Sequence, residues 1–454
     1  MNKSLISYGL YLIFQSTILF GQSYGGWIFA DTLNEARYNH ASVVLSNGKI
    51  LVTGGNGFEK VKSSEVYDPN FNFWQLSSPH LIHRSSHNLI LLSDNKILAI
   101  GGYETKSCEI YDPLLDVWSL TDSIKIRRIY SAHRVIRLNE KNILIIGGKT
   151  ADNNLNNMRT IEQCEIFEES SQKWNSISSL NIPREYHTAT RLDDGRILVT
   201  GGGSMEKESS CEIYNPLTNS WAFTGNMNIG RSNHSALLLS NGDVLVIGGN
   251  TNTVEIFNHN LGKWEIAGFT NLKWKKTHVH QLGDRIIIFG SDESSSWELY
   301  DLKSHKSLYI GNTLSKKLFY TSEKLNNGKI IVVGGEKFTG TTIFPTRYCE
   351  LFDPTIVGIE QESSINDLYN ISVQFYPNPF NSSARLKLFI PYDTEIAINI
   401  YNTLGEKISN IFKGYMHSGH HEMFFDSSYL PSGLYICQII TPQKILIIKI
   451  CHLK

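Results

Sequence analysis

The 454-residue chain carries 42 Lys and Arg against 43 Asp and Glu, with a pI near 6.9, 11% aromatic residues and 35 Gly. A balance this close to neutral supplies no field to hold a phosphate backbone, which excludes nucleic acid as a partner. The aromatic, β-branched and glycine-rich composition points to a β fold with many turns, and the length suits two domains.

In chain order, the first segment, MNKSLISYGLYLIFQSTILFGQS, sets Lys3 ahead of an apolar run from Leu10 to Phe20 and small residues around Gly21. That layout predicts a secretory signal peptide over residues 1–21. The run is too short, and too polar at Gln15 and Ser16, to span a bilayer. No later segment is predicted to cross a membrane, so the mature chain is expected to have no transmembrane segment.

One phrase then recurs: SEVYDPNFNFW, CEIYDPLLDVW, CEIFEESSQKW, CEIYNPLTNSW and VEIFNHNLGKW, each with Glu, an aromatic two residues later and Trp nine residues after the Glu. Gly-Gly doublets at 54–55, 101–102, 147–148, 201–202, 248–249 and 334–335, with Gly290-Ser291 filling the long gap, mark seven units at steps of 42 to 54 residues. A period in the forties built of short β segments predicts a propeller. In the first unit HASVVLS, ILVTGG, SSEVYDP and FWQLS are four strands, and turns such as SNGK and DDGR reverse the chain tightly. Units one to five carry Trp74, Trp118, Trp174, Trp221 and Trp264, whereas unit six has Ser307 and unit seven Ile359 at the expected place. Trp27 lies 13 residues before His40, the spacing of Trp74 to His87. The N-terminal segment is therefore expected to supply the outer strand of blade seven and hide its edge. Cys108, Cys164, Cys211 and Cys349 all precede the repeated Glu, so the repeat itself holds them apart and they are expected to be small buried residues. Cys437 and Cys451, in the second domain, are left open to pairing.

The Gly-Gly doublet, the Glu-x-aromatic and the spaced Trp resemble Kelch repeats and the galactose-oxidase-like seven-bladed propeller. The resemblance covers about residues 24–357 of the propeller assigned to residues 22–357, and implies fold more than function. The face bearing the segments after each Gly-Gly has the longest loops, 149–160, 203–210 and 336–347, and is the expected binding surface. The same face gathers His40, His87, His133, His187 and His234, with Tyr320 in unit seven and His278 shifted in unit six. Three residues earlier stand Arg37, Arg84, Arg184, Arg231, Lys275 and Lys317, and every unit has its Glu. Residues that repeat in nearly every unit point to internal scaffolding, because catalysis breaks symmetry. As candidates for ligand contact on this face we name Arg37, Arg84, Arg184, Arg231 and Tyr320.

The enzyme alternative rests on REYHTATRLDDGRILVTGGG, whose Tyr186 and His187 look like the Tyr-His copper-ligand segment of galactose oxidases. That resemblance implies Tyr186 and His187 as catalytic residues, copper as cofactor, and His187, His234 and His278 as metal ligands. Against it, no Cys stands at a strand start to cross-link a Tyr, so no cofactor is expected. No sialidase box, nucleophile elbow, phosphate loop or His-Glu-x-x-His is present.

Residues 358–370 form a polar linker. Beyond it, alternating stretches such as ARLKLFI, EIAINIY and GLYICQII, broken by Pro and Gly, predict a small β-sandwich over 371–454. The phrases YPNPFNSSARLKL, INIYNTLGEKI and LPSGLYICQI resemble the C-terminal sorting domain of type IX secretion. By that resemblance the type IX machinery is a partner, and the protein is secreted or held at the cell surface. His417, His420 and His421 are taken as a solvated turn. The expected function is a binding module for an extracellular protein or glycan, with the copper oxidase as its alternative.

Overall fold

The computed structural model describes residues 26–354, apart from 153–156, 204–205, 291–294 and 339–342, and residues 372–452, apart from 377–379, 382, 391–392, 404, 418 and 443–444. The expected leader, residues 1–21, and the expected linker, residues 358–370, lie outside the described residues. The chain divides into two compact units, Gln22–Gly358 and Ile359–Lys454.

The first unit is a seven-bladed propeller. Blade 1 is formed by Ala41–Val44, Ile50–Thr53, Ser64–Asp68 and Phe73–Ser77, hydrogen-bonded in that order. Blades 2 to 6 repeat the plan, their innermost strands being Asn88–Leu91, Arg134–Asn139, Thr188–Arg191, His234–Leu238 and Thr277–Leu282. Blade 7 takes three strands from Thr321–Phe352 and its fourth from the N-terminal Trp27–Phe29, which places Trp27 opposite Phe352. A single parallel contact of Phe269 with Lys306 joins the outer strands of blades 5 and 6.

The repeated phrase exists because of cross-strand pairing. Tyr67 faces Trp74, Tyr111 faces Trp118, Phe167 faces Trp174, Tyr214 faces Trp221 and Phe257 faces Trp264, with ring centroids 4.9–5.2 Å apart. Blade 7 rebuilds the pair with Trp27 and Phe352 at 5.3 Å. In blade 6, Tyr300 faces Ser307, and a second pair, Trp297 with Tyr309 at 5.0 Å, supplies the missing bulk. Each second strand is buried on both faces, and seven separate apolar clusters fill the spaces between successive blades. One of them joins blade 7 (Ile331, Val333, Leu351) to blade 1 (Ile50, Val52, Trp74), so the ring closes.

The Gly-Gly doublets fit the blades together. Gly54 sits at φ +59°, and a Cβ there would lie 2.4 Å from the carbonyl oxygen of Arg84 in the next blade. Gly55 N–H donates to that same carbonyl at 2.9 Å. The identical bond from Gly335 to the Arg37 carbonyl, 2.8 Å, links the last blade to the first. Only a residue without a side chain permits this approach.

The second unit is a sandwich of a three-stranded sheet (Ser372–Tyr376, Ser383–Ile390, Gly419–Asp426) on a four-stranded one (Thr394–Asn402, Lys407–Met416, Gly433–Ile440, Ile445–His452). Leu386 and Leu388 of one sheet meet Ile398 and Ile439 of the other in its core. Cys437 and Cys451 are not joined to each other by a disulfide; their register partners are Ile448 and Leu434. His417 is exposed and 3.0 Å from Asp393, whereas His420 and His421 belong to the strand Gly419–Asp426, opposite Phe389 and Leu388, and not to a turn.

Candidate functional site

The propeller face that bears the Gly-Gly segments is built on seven buried glutamates. Glu65 accepts from the backbone N–H groups of Asn34 and Glu35 and from Arg37 Nη2 at 2.8 Å. Glu109, Glu165, Glu212 and Glu255 repeat this with Arg84, Arg128, Arg184 and Arg231 at 2.5–3.0 Å. Glu350 does so with Lys317 at 2.9 Å, and Glu298 with the Trp274 indole N–H at 3.1 Å. Every carboxylate clamps the loop that enters its own blade, and every guanidinium also donates to the carbonyls of the Gly-Gly turn, as Arg37 does to Gly54 and Ser63. Burial alone would raise the Glu109 carboxyl, but His80 and Arg84 outweigh it and hold the group down at about 2.

This placement corrects the sequence reading. Arg37, Arg84, Arg184 and Arg231 are fully buried and lie beneath the surface of the face, not on it. Tyr320 is buried as well, its hydroxyl donating to the Gly290 carbonyl. Lys275 is exposed, and Trp274 takes the role expected of it. Arg128 was missed because Tyr130 and Ser131 place it five residues before His133, where the other units have three. His278 is one step out of phase: Thr277 pairs with Gly290 as His234 pairs with Gly248. The pleat therefore turns the His278 ring onto Tyr320, 4.6 Å away, with Nδ1 3.1 Å from Ser322 Oγ.

The remaining histidines reach back into the preceding blade. His40 Nε2 meets Thr321 Oγ1, His87 Nε2 meets Thr53 Oγ1, and His234 Nε2 meets the Thr188 and Thr200 hydroxyls, at 2.9–3.1 Å. His133 and His187 are equally buried, yet among the described residues neither ring nitrogen of either has a hydrogen-bond partner. Burial lowers all five below the ordinary imidazole value, His40 to about 3.

Around the mouth of the channel runs a chain of backbone bonds. Asn39 N–H donates to Phe319 O, Ser86 to Asn39, Tyr186 to Ala132, Asn233 to Tyr186 and Thr277 to Asn233. The linking residues Asn39, Ser86, Tyr186, Asn233 and Phe319 all sit at φ between 50° and 56°. Asn tolerates that region; Tyr186, Phe319 and the neighbouring Tyr130 (φ 61°) do so at a cost of about 1–2 kcal/mol each. Tyr130 is 40% exposed, and its ring lies 5.0 Å from that of Tyr103.

The donors near Tyr186 and His187 do not fit a copper-radical centre. The His187 ring is packed against Gly147 of blade 3, and the propeller cysteines occupy the buried third-strand slots. Among the described residues no three His, Cys, Asp or Glu side chains converge as a ligand set.

Comparison with known proteins agrees with both units. Residues 374–452 match the secretion system C-terminal sorting domain, and residues 186–228 match the Kelch motif. Kelch-like protein 6 of Homo sapiens is 37% identical over 84 residues, 18% of this chain and 13% of that protein. Acyl-CoA-binding domain-containing protein 4 of Arabidopsis thaliana is 22% identical over 205 residues, 40% of this chain and 30% of that protein. The chain thus matches well under half the length of these relatives. A fungal alcohol oxidase of the AA5 family, solved in complex with copper, superposes with a TM-score of 0.59 over 94% of this chain and 99% of its own, at 12% identity, which shows a shared fold.

Proposed function

We propose that this Kelch-type, galactose-oxidase-like propeller, carried out of the cell by its type IX sorting domain, works as a binding module for an extracellular glycan or protein. The observation that carries the reading is how the repeated polar residues are used. The blade arginines and glutamates are buried in pairs with one another, so the symmetric constellation has no valence left for chemistry. What differs from blade to blade is the exposed rim and the segments after the Gly-Gly doublets, and variable loops on a rigid ring are where recognition resides.

Screening the purified chain on glycan and secreted-protein arrays tests this directly. Specific capture that survives removal of the sorting domain and is lost on shortening segment 149–160 is the expected result; no capture on either array refutes the reading. Metal analysis with a peroxide-release screen on sugars and alcohols checks the oxidase alternative, and stoichiometric copper with turnover would overturn the binding role.

A further inference from the structure

Symmetry in the ring fails most sharply at one residue. In blade 4 the paired Thr188 and Thr200 offer hydroxyls to His234 of blade 5. The register-equivalent pair in blade 3 is Arg134 and Ile146, so His187 of blade 4 finds no hydroxyl. Arg134 itself is part-buried. Its Nη1 donates to the main-chain carbonyls of His133 and Ser131 at 3.0 and 3.4 Å, and among the described residues no carboxylate pairs with it. The five blade arginines of the scaffold each own a glutamate. Burial without a counter-ion lowers the Arg134 guanidinium to about 10. A partly buried cation without an anion favours any anion that reaches it.

The surroundings restrict which anion. Tyr186, whose N–H donates to the Ala132 carbonyl, and the Tyr103–Tyr130 pair, next to the Ser131 carbonyl that Arg134 holds, surround the same sector of the rim. Tyr186 occupies the left-handed backbone position that Asn39 and Asn233 fill elsewhere in the ring, and Tyr130 occupies a second left-handed position in the preceding blade, a local strain that Asn would lessen. The other charges nearby are already committed: Lys149 lies 3.4 Å from Glu185, and Arg127 donates to the Ala151 and Asp152 carbonyls. One open guanidinium among flat aromatic faces suits a ligand with one carboxylate and a broad C–H face per unit, which is an acidic sugar. An acidic peptide carries its carboxylates on flexible side chains and offers no flat C–H face to lay on the tyrosine rings.

We propose that Arg134, framed by Tyr103, Tyr130 and Tyr186, binds the carboxylate of a uronic-acid-type sugar at the channel mouth. This rests on the binding-module reading and names its ligand class. The test is calorimetric titration of the full-length protein with trigalacturonate, with neutral galactotriose and with an oligoglutamate peptide. Trigalacturonate should bind, galactotriose should bind at least about tenfold more weakly, and affinity should fall as salt is raised. Arg134→Gln should lose about tenfold or more with its melting temperature unchanged, Arg134→Lys should fall between because the fork is lost but the charge kept, and exposed Arg191→Gln should match wild type. Tyr130→Ala should weaken both sugars. Should Arg134→Gln fold poorly, Arg134→Lys and Tyr130→Ala carry the test. Equal binding of both sugars, an unaffected Arg134 variant, or binding of the peptide alone overturns the proposal. Positive arrays with no uronate binding would sink this inference and leave the binding module standing; silent arrays would sink both.

Discussion

Truncating Trp27 to Ala tests whether the ring depends on its borrowed strand. The indole is fully buried between blades 6 and 7, 5.6 Å from Phe289 and 5.3 Å from Phe352. A Trp side chain hides about 150–250 Å², worth about 4–6 kcal/mol at about 25 cal/mol/Å². Unfolded chains already bury part of that surface, so the usual Trp→Ala loss of about 3–5 kcal/mol is the figure to expect. With a urea slope of about 3 kcal/mol/M for a domain of this size, the unfolding midpoint should fall by roughly 1–1.7 M. Phe29, two residues along the same strand and 49% exposed, is the internal control, and Phe29→Ala should stay within about 0.5 kcal/mol. Urea unfolding followed by tryptophan fluorescence and, independently, by circular dichroism measures both. Equal midpoints for the two variants would refute the closure argument, because a strand that merely lay on the surface would show no such asymmetry.

Breaking one buried ion pair should hurt more than removing it whole. Glu212→Gln alone leaves the Arg184 guanidinium buried and uncompensated, an expected loss of about 3–5 kcal/mol, whereas Arg184→Met with Glu212→Leu should recover part of it, as thermal melting will show. Gly54→Ala should destabilise by more than the ordinary 1 kcal/mol or so of a positive-φ glycine, since its Cβ would also meet the Arg84 carbonyl; a melting temperature equal to wild type would contradict the blade contact. The folded propeller holds His40 down to about 3 and His280 to about 4, burial being the main cause in each. Both groups bind protons more readily when unfolded, so their contribution is complete above about pH 6.5 and is lost as pH falls toward 4, at about 1.4 kcal/mol per pH unit for each. Melting scans from pH 7.5 to 4 should show this decline, and a flat profile would mean these rings are not buried neutral. Deleting residues 371–454 should leave the chain in the periplasm, which cell fractionation reads out; unchanged export would show that the sorting domain is dispensable.

The architecture was legible because it is written seven times. A Trp nine residues after a Glu, and an aromatic two after it, is a cross-strand pair expressed in linear spacing, and its recurrence through Trp74 to Trp264 predicts the blade and the period alike. Trp27 could be assigned to the last sheet by the same spacing. The sorting domain was legible for a different reason, since its motif order extends over one compact stretch. What spacing could not reveal is whether a repeated charge faces water or the interior. Arg37, Arg84, Arg184 and Arg231 looked like a basic rim, and only the meeting of each with its third-strand Glu and the Gly-Gly carbonyls puts them underground. Short insertions and one-residue slips escaped for the same reason: Arg128 and Trp274 fill their slots through backbone geometry, not sequence distance. Periodicity determines the ring, because identical units must pack identically. The unpartnered His187 ring beside Arg134 is decided by tertiary structure, because a missing hydroxyl becomes visible only when neighbouring blades stand side by side.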